Sequence, residues 1–191
     1  MVEKGFKLQS EGKATNSPRS RIRLPGGPFN FMSAGSHALG VMGHKAYAAV
    51  QGHPVKFYLH LSSSETGELI SVMEASDLGQ IRTGAATGVA TKYMAREEAS
   101  AVGIIGSGYQ ARTQLESVCT VRDIEHVWVY NPRQENARKF AAEMSGRVPI
   151  PDNVQVAKNP REAVAESDII CLATTSSTPV FDGNDLPPGA H

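Results

Sequence analysis

A glycine-rich turn between an apolar run and a helical segment is the pattern in this chain best suited to binding phosphates. Residues 101–105 are apolar and rich in Val and Ile, and they are followed by Gly106, Ser107, Gly108 and, further on, Ala111. This is a G-x-G-x-x-A pattern in the strand–turn–helix setting that dinucleotide binding requires. Gly106 permits the tight turn, Gly108 lets the backbone approach a pyrophosphate, and Ala111 lets the helix pack closely. The N–H groups and the positive dipole end of that helix would face the phosphates.

Two cations elsewhere in the chain have surroundings that favour an anionic ligand. Lys45 is the one Lys, Arg, Asp or Glu within residues 41–50, where its neighbours are mostly small and apolar. Arg82 lies early in residues 77–94, whose apolar spacing predicts a helix that begins at a capping aspartate. A cation near the positive end of a helix is unfavourable, and a buried ammonium is costly, unless an anion binds there. Lys45 and Arg82 are therefore candidate ligand-binding residues.

A third group of cations lies near the N-terminus. Arg19, Arg21 and Arg23 alternate with other residues as they would along a β-strand, so their side chains would share one face. That face is either a solvated sheet edge or an anion-binding surface, and the alternation alone does not decide between the two.

The elements that must position these residues change in character along the chain. Before residue 98, the pattern predicts a short helical segment at 2–9, a strand at 29–32, and a hairpin with strands at 55–61 and 69–73. From residue 99 onward, short apolar runs alternate with helical segments, which is the pattern of an α/β domain. The predicted strands are residues 101–106, 126–130, 154–157 and 168–173, and the predicted helices are residues 110–119, 134–144 and 160–165.

The strands after residue 98 are predicted to form a parallel sheet, because apolar runs without alternation indicate strands that are buried on both faces. With right-handed crossovers, these strands take the doubly wound order 3-2-1-4. A fifth strand is expected after the last residue. The predicted fold class is therefore α/β, with a Rossmann-type doubly wound parallel sheet that is truncated after strand four and preceded by part of an α+β domain.

The end of the second predicted strand bears on the choice of cofactor. In dinucleotide-binding folds, an acidic residue at this position accepts hydrogen bonds from the adenosine ribose. Here the position is occupied by Asn131, and Arg133 follows closely. A neutral side chain with a nearby arginine suits a 2′-phosphate, so the sequence favours NADP(H) over NAD(H). The alternative is a polar turn with a solvent-facing arginine.

The overall composition excludes several classes of function. The formal net charge is +0, so no long-range attraction for nucleic acid or for an anionic membrane is expected. No apolar run approaches the roughly 20 residues that span a bilayer, and the N-terminus lacks the apolar core of a signal peptide. Cys119 and Cys171 are isolated, so neither a disulfide framework nor a metal site is expected, and we predict a cytoplasmic protein with reduced thiols.

Four segments of the chain carry motifs of one known family. They are residues 78–96, 102–115, 172–177 and 186–191. Together they closely resemble the ornithine cyclodeaminase/mu-crystallin family, which includes amino-acid cyclodeaminases, alanine dehydrogenases, ketimine reductases and NADPH-binding lens proteins. The resemblance implies a substrate-binding and dimerisation domain, here residues 1–97, and an NAD(P)-binding Rossmann domain, here residues 98–191. It also implies a homodimer.

By the same resemblance, Arg19, Lys45 and Arg82 hold the carboxylate of a small amino acid or cyclic imine, and Lys45 also stands at the reacting centre. Arginine can grip a carboxylate with parallel hydrogen bonds, and an anion would neutralise a pocket of such cations. Arg21 and Arg23 match the family less clearly and are predicted to be surface charges. The resemblance also implies a set of cofactor-binding residues: Thr83, Gly106, Ser107, Gly108, Tyr109, Gln110, Ala111, Asn131, Arg133, Thr174 and Thr175. Of these, Thr174 and Thr175 would lie near the nicotinamide.

The chain departs from the family pattern in two respects. Ornithine-processing members have an acidic residue near the position of Asn30, so this chain favours an alanine-dehydrogenase-like or ketimine-reductase-like activity. The family's catalytic aspartate follows a fifth strand, so the chain is expected to be an internal portion of a longer protein. The predicted function is an NAD(P)-dependent oxidoreductase or deaminase acting at the α-carbon of a small amino or imino acid. The alternatives are an NADPH-dependent ligand-binding protein of the mu-crystallin type and an inactive fragment of the enzyme.

Overall fold

The computed structural model describes residues 1–191 and divides the chain into two compact units, Met1–Gly79 and Gln80–His191. The division falls inside a long helix, whose first turn belongs to the first unit. No helix in either unit combines the length and the apolar composition that crossing a membrane requires.

The first unit consists of a helix and an antiparallel sheet. Its elements are the helix α1 at Val2–Ser10, a 3-10 helix at His37–Leu39, and the strands β1 Thr15–Asn16, β2 Ser20–Leu24, β3 Gly27–Ser36, β4 Val41–Ala48, β5 Phe57–Ser63 and β6 Leu69–Glu74. The strand order is β1-β3-β4-β5-β6, and β2 also pairs with β3. The predicted helix at 2–9 and the predicted hairpin of 55–61 with 69–73 are confirmed.

One central strand of this sheet is longer than the sequence predicts, and another is not predicted at all. The strand β3 extends beyond the predicted 29–32 at both ends, and β4 corresponds to no predicted strand. Both strands contain glycine and alanine, which do not favour extended structure. Both strands are stabilised by their pairing with each other. The paired register runs from Phe29 opposite Ala48 to Ser36 opposite Val41.

The two faces of the sheet differ in exposure. The register aligns Met32, Lys45 and Leu59 across β3, β4 and β5, so their side chains share one face. The opposite face, which we name the apolar sheet face, exposes large apolar side chains to solvent. It includes Ile22, Met42, Tyr58 and Val72, with exposed fractions of 51%, 41%, 46% and 52%.

The second unit is built on a parallel sheet. The helix α2, at Ser76–Met94, precedes this sheet. The elements that follow are β7 Ala101–Ile105, α3 Tyr109–Val121, β8 His126–Tyr130, α4 Gln134–Met144, β9 Val154–Val156, α5 Pro160–Val164, β10 Ile169–Leu172 and a 3-10 helix at Gly183–Asp185. The strand order is β10-β7-β8-β9 with every pair parallel, which confirms the predicted 3-2-1-4 arrangement. The predicted helix at 77–94 is also confirmed. His191 exchanges backbone hydrogen bonds of 2.8 Å with Asp168 and Ile170, alongside β10.

Apolar side chains cover both faces of the parallel sheet. On one face, Leu115 and Val118 of α3 and Phe140 of α4 pack with the strands in the larger core cluster. On the other face, Ala163 and Val164 of α5 belong to a smaller cluster. All the residues of β7 are buried, as the absence of alternation in its sequence predicts.

Arg122, which follows α3, caps the C-terminal end of α2. Its Nη2 donates to the carbonyl oxygens of Thr91 at 3.1 Å, Lys92 at 3.1 Å and Ala95 at 2.7 Å. The last carbonyls of a helix have no partner within the helix, so a guanidinium that reaches them satisfies acceptors that are otherwise left to water. This contact fastens α2 to the rest of the second unit.

Candidate functional site

Gly106 begins a tight turn between β7 and α3. Its φ of +100° lies in the left-handed region, which side chains disfavour. A Cβ atom here would also collide with the carbonyl oxygen of Ala173, and the Gly106 N–H donates to the carbonyl of Tyr130 at 2.8 Å. The turn therefore lies between the ends of β8 and β10, at the carboxyl edge of the sheet, where open α/β sheets bind ligands.

Gly108 immediately precedes α3, whose N-terminus is not covered by other groups. No side chain caps this helix, and a Cβ atom on Gly108 would meet no other heavy atom within 4 Å. Ala111 is fully buried in the core, whereas Tyr109 is half exposed. The side-chain Oε1 of Gln110 is buried without a hydrogen-bond partner. An uncapped helix N-terminus beside open space fits a phosphate, and the amide oxygen without a partner fits a hydrogen-bond donor of a ligand.

Asn131 joins the end of β8 to the glycine turn. Its Nδ2 donates to Oγ of Ser107 at 2.8 Å, and its Oδ1 accepts from the backbone N–H of Arg133 at 2.9 Å. Arg133 is exposed and occupies the residue before α4. These three residues are thus brought together where dinucleotide-binding folds place the adenosine ribose.

Thr174 and Thr175 lie in the loop that follows β10. Both are exposed, and the Thr174 Oγ1 accepts a hydrogen bond from the backbone N–H of Ser176 at 3.0 Å. Thr174 also lines a cleft of about 380 Å³ together with Leu172 and Phe181. Because β10 and β7 are parallel neighbours, this loop leaves the sheet at the same edge as the glycine turn.

Arg82 and Thr83 lie on the part of α2 that contacts α3. The Gln80 side-chain Nε2 donates to the carbonyl of Tyr109, and the Gln80 carbonyl accepts from Oγ1 of Thr113 at 3.2 Å. Arg82 is exposed and Thr83 is half-buried. Both residues therefore belong to the same compact unit as the glycine turn.

Lys45 lies in the middle of β4, in apolar and aromatic surroundings. Its Nζ is 4.8 Å from the ring centroid of Phe57 and 5.4 Å from that of Tyr47, which is close enough for cation–π attraction. Lys45 also lines a cavity of about 490 Å³, whose walls include Met32 and Leu59. Lys45 therefore places a positive charge at the wall of this cavity.

The three N-terminal arginines differ in their contacts. Arg19 immediately precedes β2 and is exposed, as is Arg23 within that strand. Arg21 is exposed, as predicted for a surface charge, and its Nε also donates to Oδ1 of Asn30 at 2.9 Å. Asn30 is only 2% exposed, so its amide oxygen is committed to this internal contact. Arg19 and Lys45 lie in the first compact unit and Arg82 in the second.

Two residues that sequence reasoning missed lie beside the glycine turn. Arg112 forms a two-pronged ion pair with Glu143 of α4, in which Nε lies 2.9 Å from Oε1 and Nη2 lies 2.5 Å from Oε2. Through this hydrogen bonding, the pKa of the Glu143 carboxyl is held below its ordinary value and the pKa of Arg112 is raised. The partners are 31 residues apart, so no local pattern could have signalled the pair.

Relatives of known description match the chain over much or all of its length. The matching family is described as the ornithine cyclodeaminase/mu-crystallin family, and the match covers residues 1–191. A Delta(1)-pyrroline-2-carboxylate reductase of Bacillus cereus is 45% identical over 131 residues, which are 69% of this chain and 39% of that protein.

Solved structures have the same fold. The Thermococcus litoralis Delta(1)-pyrroline-2-carboxylate reductase, in complex with NADH and L-proline, matches with a TM-score of 0.92 and 37% identity, over 100% of this chain and 61% of that one. An archaeal alanine dehydrogenase dimer with bound NAD matches with a TM-score of 0.91 and 34% identity, over 100% of this chain and 59% of that one. The chain thus spans less than two thirds of the length of each of these relatives.

Proposed function

The chain belongs to the ornithine cyclodeaminase/mu-crystallin family. We propose that its function is that of an NAD(P)-dependent oxidoreductase or deaminase acting at the α-carbon of a small amino or imino acid. The observation that carries this proposal is the glycine turn, where Gly106 excludes a side chain and Gly108 faces open space at an uncapped helix. These features fit the pyrophosphate of a dinucleotide. Relatives with 37% and 34% identity bind NADH and NAD.

The residues of the second unit bind and orient the cofactor in this proposal. The nicotinamide cofactor supplies the carbon that accepts or donates hydride. The N–H groups at the start of α3 hold the phosphates, and Asn131 and Ser107 orient the adenosine ribose. Thr174 and Thr175 border the nicotinamide end, because their loop follows β10, which lies on the opposite side of β7 from β8 and Asn131.

The preferred cofactor in this proposal is NADP(H). Asn131 is neutral, so it does not repel a 2′-phosphate as a carboxylate would. Its amide also holds the backbone of Arg133, whose exposed guanidinium is available to an anion. A planar guanidinium suits a phosphate because it can bind two oxygens at once.

Arg19, Lys45 and Arg82 hold the substrate carboxylate in this proposal, and Lys45 lies at the reacting centre. Fixing the carboxylate positions the α-carbon for hydride transfer, and such positioning supplies much of an enzyme's rate. The relative from Thermococcus litoralis binds L-proline, which has the carboxylate that these cations would recognise. The side-chain oxygen of Asn30 accepts a hydrogen bond from Arg21, and Asn30 has no carboxylate that could bind the side-chain amine of ornithine. This supports an alanine-dehydrogenase-like or ketimine-reductase-like substrate over ornithine.

Turnover assays on the intact protein test the proposal. Reduction of cyclic ketimines such as Δ1-pyrroline-2-carboxylate is followed with NADPH and NADH, and oxidation or deamination of L-alanine, L-ornithine and L-lysine with the oxidised cofactors. We expect turnover of at least one substrate, and we expect Lys45→Met to abolish it while the Kd of the cofactor is retained. Tight NADPH binding without any turnover would instead support a ligand-binding protein of the mu-crystallin type.

A second copy of this chain is the partner that best fits the apolar sheet face. Large exposed apolar patches mark interaction sites, and the archaeal alanine dehydrogenase relative is a dimer. We therefore expect Tyr58→Lys to convert a dimer into monomers in sedimentation experiments. The control is Val148→Lys, which places the same charge at a side chain that is already 92% exposed in the other unit. A wild-type monomer would contradict the proposal.

A further inference from the structure

The guanidinium of Arg112 contacts carbonyl groups of the glycine turn in addition to Glu143. Its Nη1 donates to the carbonyl oxygen of Gly108 at 2.9 Å and lies 3.3 Å from that of Ser107, to which it also donates. Its Cζ lies 5.5 Å from the ring centroid of Phe140, which is fully buried. With Glu143 bound through its other nitrogens, the guanidinium is held between the turn and α4.

The direction of these carbonyls determines the direction of the neighbouring N–H groups. In a planar trans peptide, the N–H points opposite to the C=O. Contact with Arg112 keeps the carbonyls of Ser107 and Gly108 on one side, so the N–H groups of Gly108 and Tyr109 point to the other side. A Cβ atom on Gly108 would meet no heavy atom within 4 Å, so there is open space beside these amides. These are the first amides of the helix N-terminus that would meet a phosphate.

We propose that Arg112 is a positioning residue for the cofactor pyrophosphate, and that it acts by fixing the peptide planes of the glycine turn without touching phosphate. The inference rests on the proposed function, because it takes the turn to be the phosphate site. Glu143 orients the guanidinium and offsets its charge. The lowered pKa of the Glu143 carboxyl keeps it ionised at neutral pH, so the ion pair persists there.

Arg112→Met in the intact protein tests the proposal, and Arg147→Met is its matched control. The Arg147 Nη1 lies 3.7 Å from Oε1 of the same Glu143, and Arg147 donates to no carbonyl of the turn. We expect Arg112→Met to raise the Kd of NADPH and NADH about 10-fold, the effect of losing one hydrogen bond from a charged donor. We also expect faster amide hydrogen exchange over residues 106–111 without ligand. Arg147→Met should change neither quantity.

Two further variants separate positioning from direct contact and guard against misfolding. Arg112→Lys retains the charge without the fork, so the increase in Kd should be smaller than for Arg112→Met. Glu143→Gln should weaken cofactor binding and speed exchange over residues 106–111. If Arg112 bound phosphate itself, release from Glu143 would tighten binding instead, and the proposal would be overturned.

The exchange measurement keeps this inference distinguishable from the proposed function. A wild-type protein that binds neither NADPH nor NADH would refute the proposed function. Equal exchange over residues 106–111 in Arg112→Met and Arg147→Met would refute the positioning role, whatever the binding result. Faster exchange in Arg112→Met alone, with a parallel loss of binding, supports both.

Discussion

Asn131 donates its side-chain Nδ2 to Oγ of Ser107 at 2.8 Å, so the residue after β8 is joined to the middle of the glycine turn. The Oδ1 of the same amide accepts from the backbone N–H of Arg133 at 2.9 Å. One side chain therefore organises both the turn and the start of α4. Its chemical identity should determine which adenosine group the site prefers.

Replacing Asn131 with Asp is expected to shift the preference toward NAD(H). The Ser107 hydroxyl can donate as well as accept, so the carboxylate retains this hydrogen bond and the turn is preserved. The added charge accepts hydrogen bonds from ribose hydroxyls and repels a 2′-phosphate. We expect the ratio of the NADPH Kd to the NADH Kd to rise by about 10-fold or more, measured by fluorescence titration.

The control for this prediction is Arg133→Met. It should weaken NADPH binding and leave NADH binding unchanged, because only NADPH carries the 2′-phosphate that the guanidinium would meet. A wild-type protein that binds NADH more tightly than NADPH would contradict the NADP preference.

Arg82→Ala is expected to raise the substrate KM about 10- to 100-fold, the effect of losing a charge-assisted hydrogen bond to the carboxylate. The Kd of the cofactor should change little, because the glycine turn and Asn131 are retained. Steady-state kinetics and direct cofactor titration measure the two quantities separately. Lys92→Ala, at the other end of α2, is the control for a general effect on the helix. Loss of cofactor binding with an unchanged KM would show that Arg82 is not a substrate residue.

Most of the second unit could be predicted from the sequence because its signals are local. The strand β7 is buried along its whole length, so its apolar run does not alternate, and this identifies a parallel sheet. The fingerprint Gly106, Gly108 and Ala111 likewise lies within one short turn. Strand order then followed from the handedness of crossovers.

Other features depend on partners that are distant in sequence and could not be predicted. The strand β4 forms because β3 and β5 pair with it on both sides, although its glycine and two alanines do not favour extended structure. The role of Arg112 requires Glu143, which is 31 residues away. The cap on α2 requires Arg122 to reach carbonyls that are 27 to 31 residues earlier. Arg112 lies in a family motif and Arg122 follows α3, but nothing in the sequence near either arginine indicates these partners.

Gly84→Ala is expected to destabilise the second unit by about 1–3 kcal/mol, the usual cost of overpacking. A Cβ atom on Gly84 would lie 2.6 Å from the Thr113 Cβ and would also collide with the Thr113 carbonyl, so α2 could not keep its distance from α3. Gly5→Ala in α1 is the control, because a Cβ there would meet nothing within 4 Å. Urea unfolding should show a loss of stability for Gly84→Ala and none for Gly5→Ala. Equal effects would mean that α2 and α3 are not in close contact.

The buried thiols Cys119 and Cys171 should make the protein less stable as the pH rises above about 9. Burial raises the pKa of each thiol from 9.0 to about 12. Between these values the unfolded chain loses the thiol protons and the folded chain keeps them, so the free energy of unfolding falls with rising pH. The fall is at most about 1.4 kcal/mol per pH unit for each thiol, and below about pH 9 the contribution is constant.

Urea unfolding at about pH 8 and about pH 10 measures this loss in the wild type and in the Cys119→Ala/Cys171→Ala double variant. The comparison uses the change between the two pH values, because the substitutions themselves alter stability by leaving small cavities. We expect a smaller change in the double variant, since it has no thiols to ionise on unfolding. An equal change in both proteins would show that the thiols are already accessible to ionisation in the folded state.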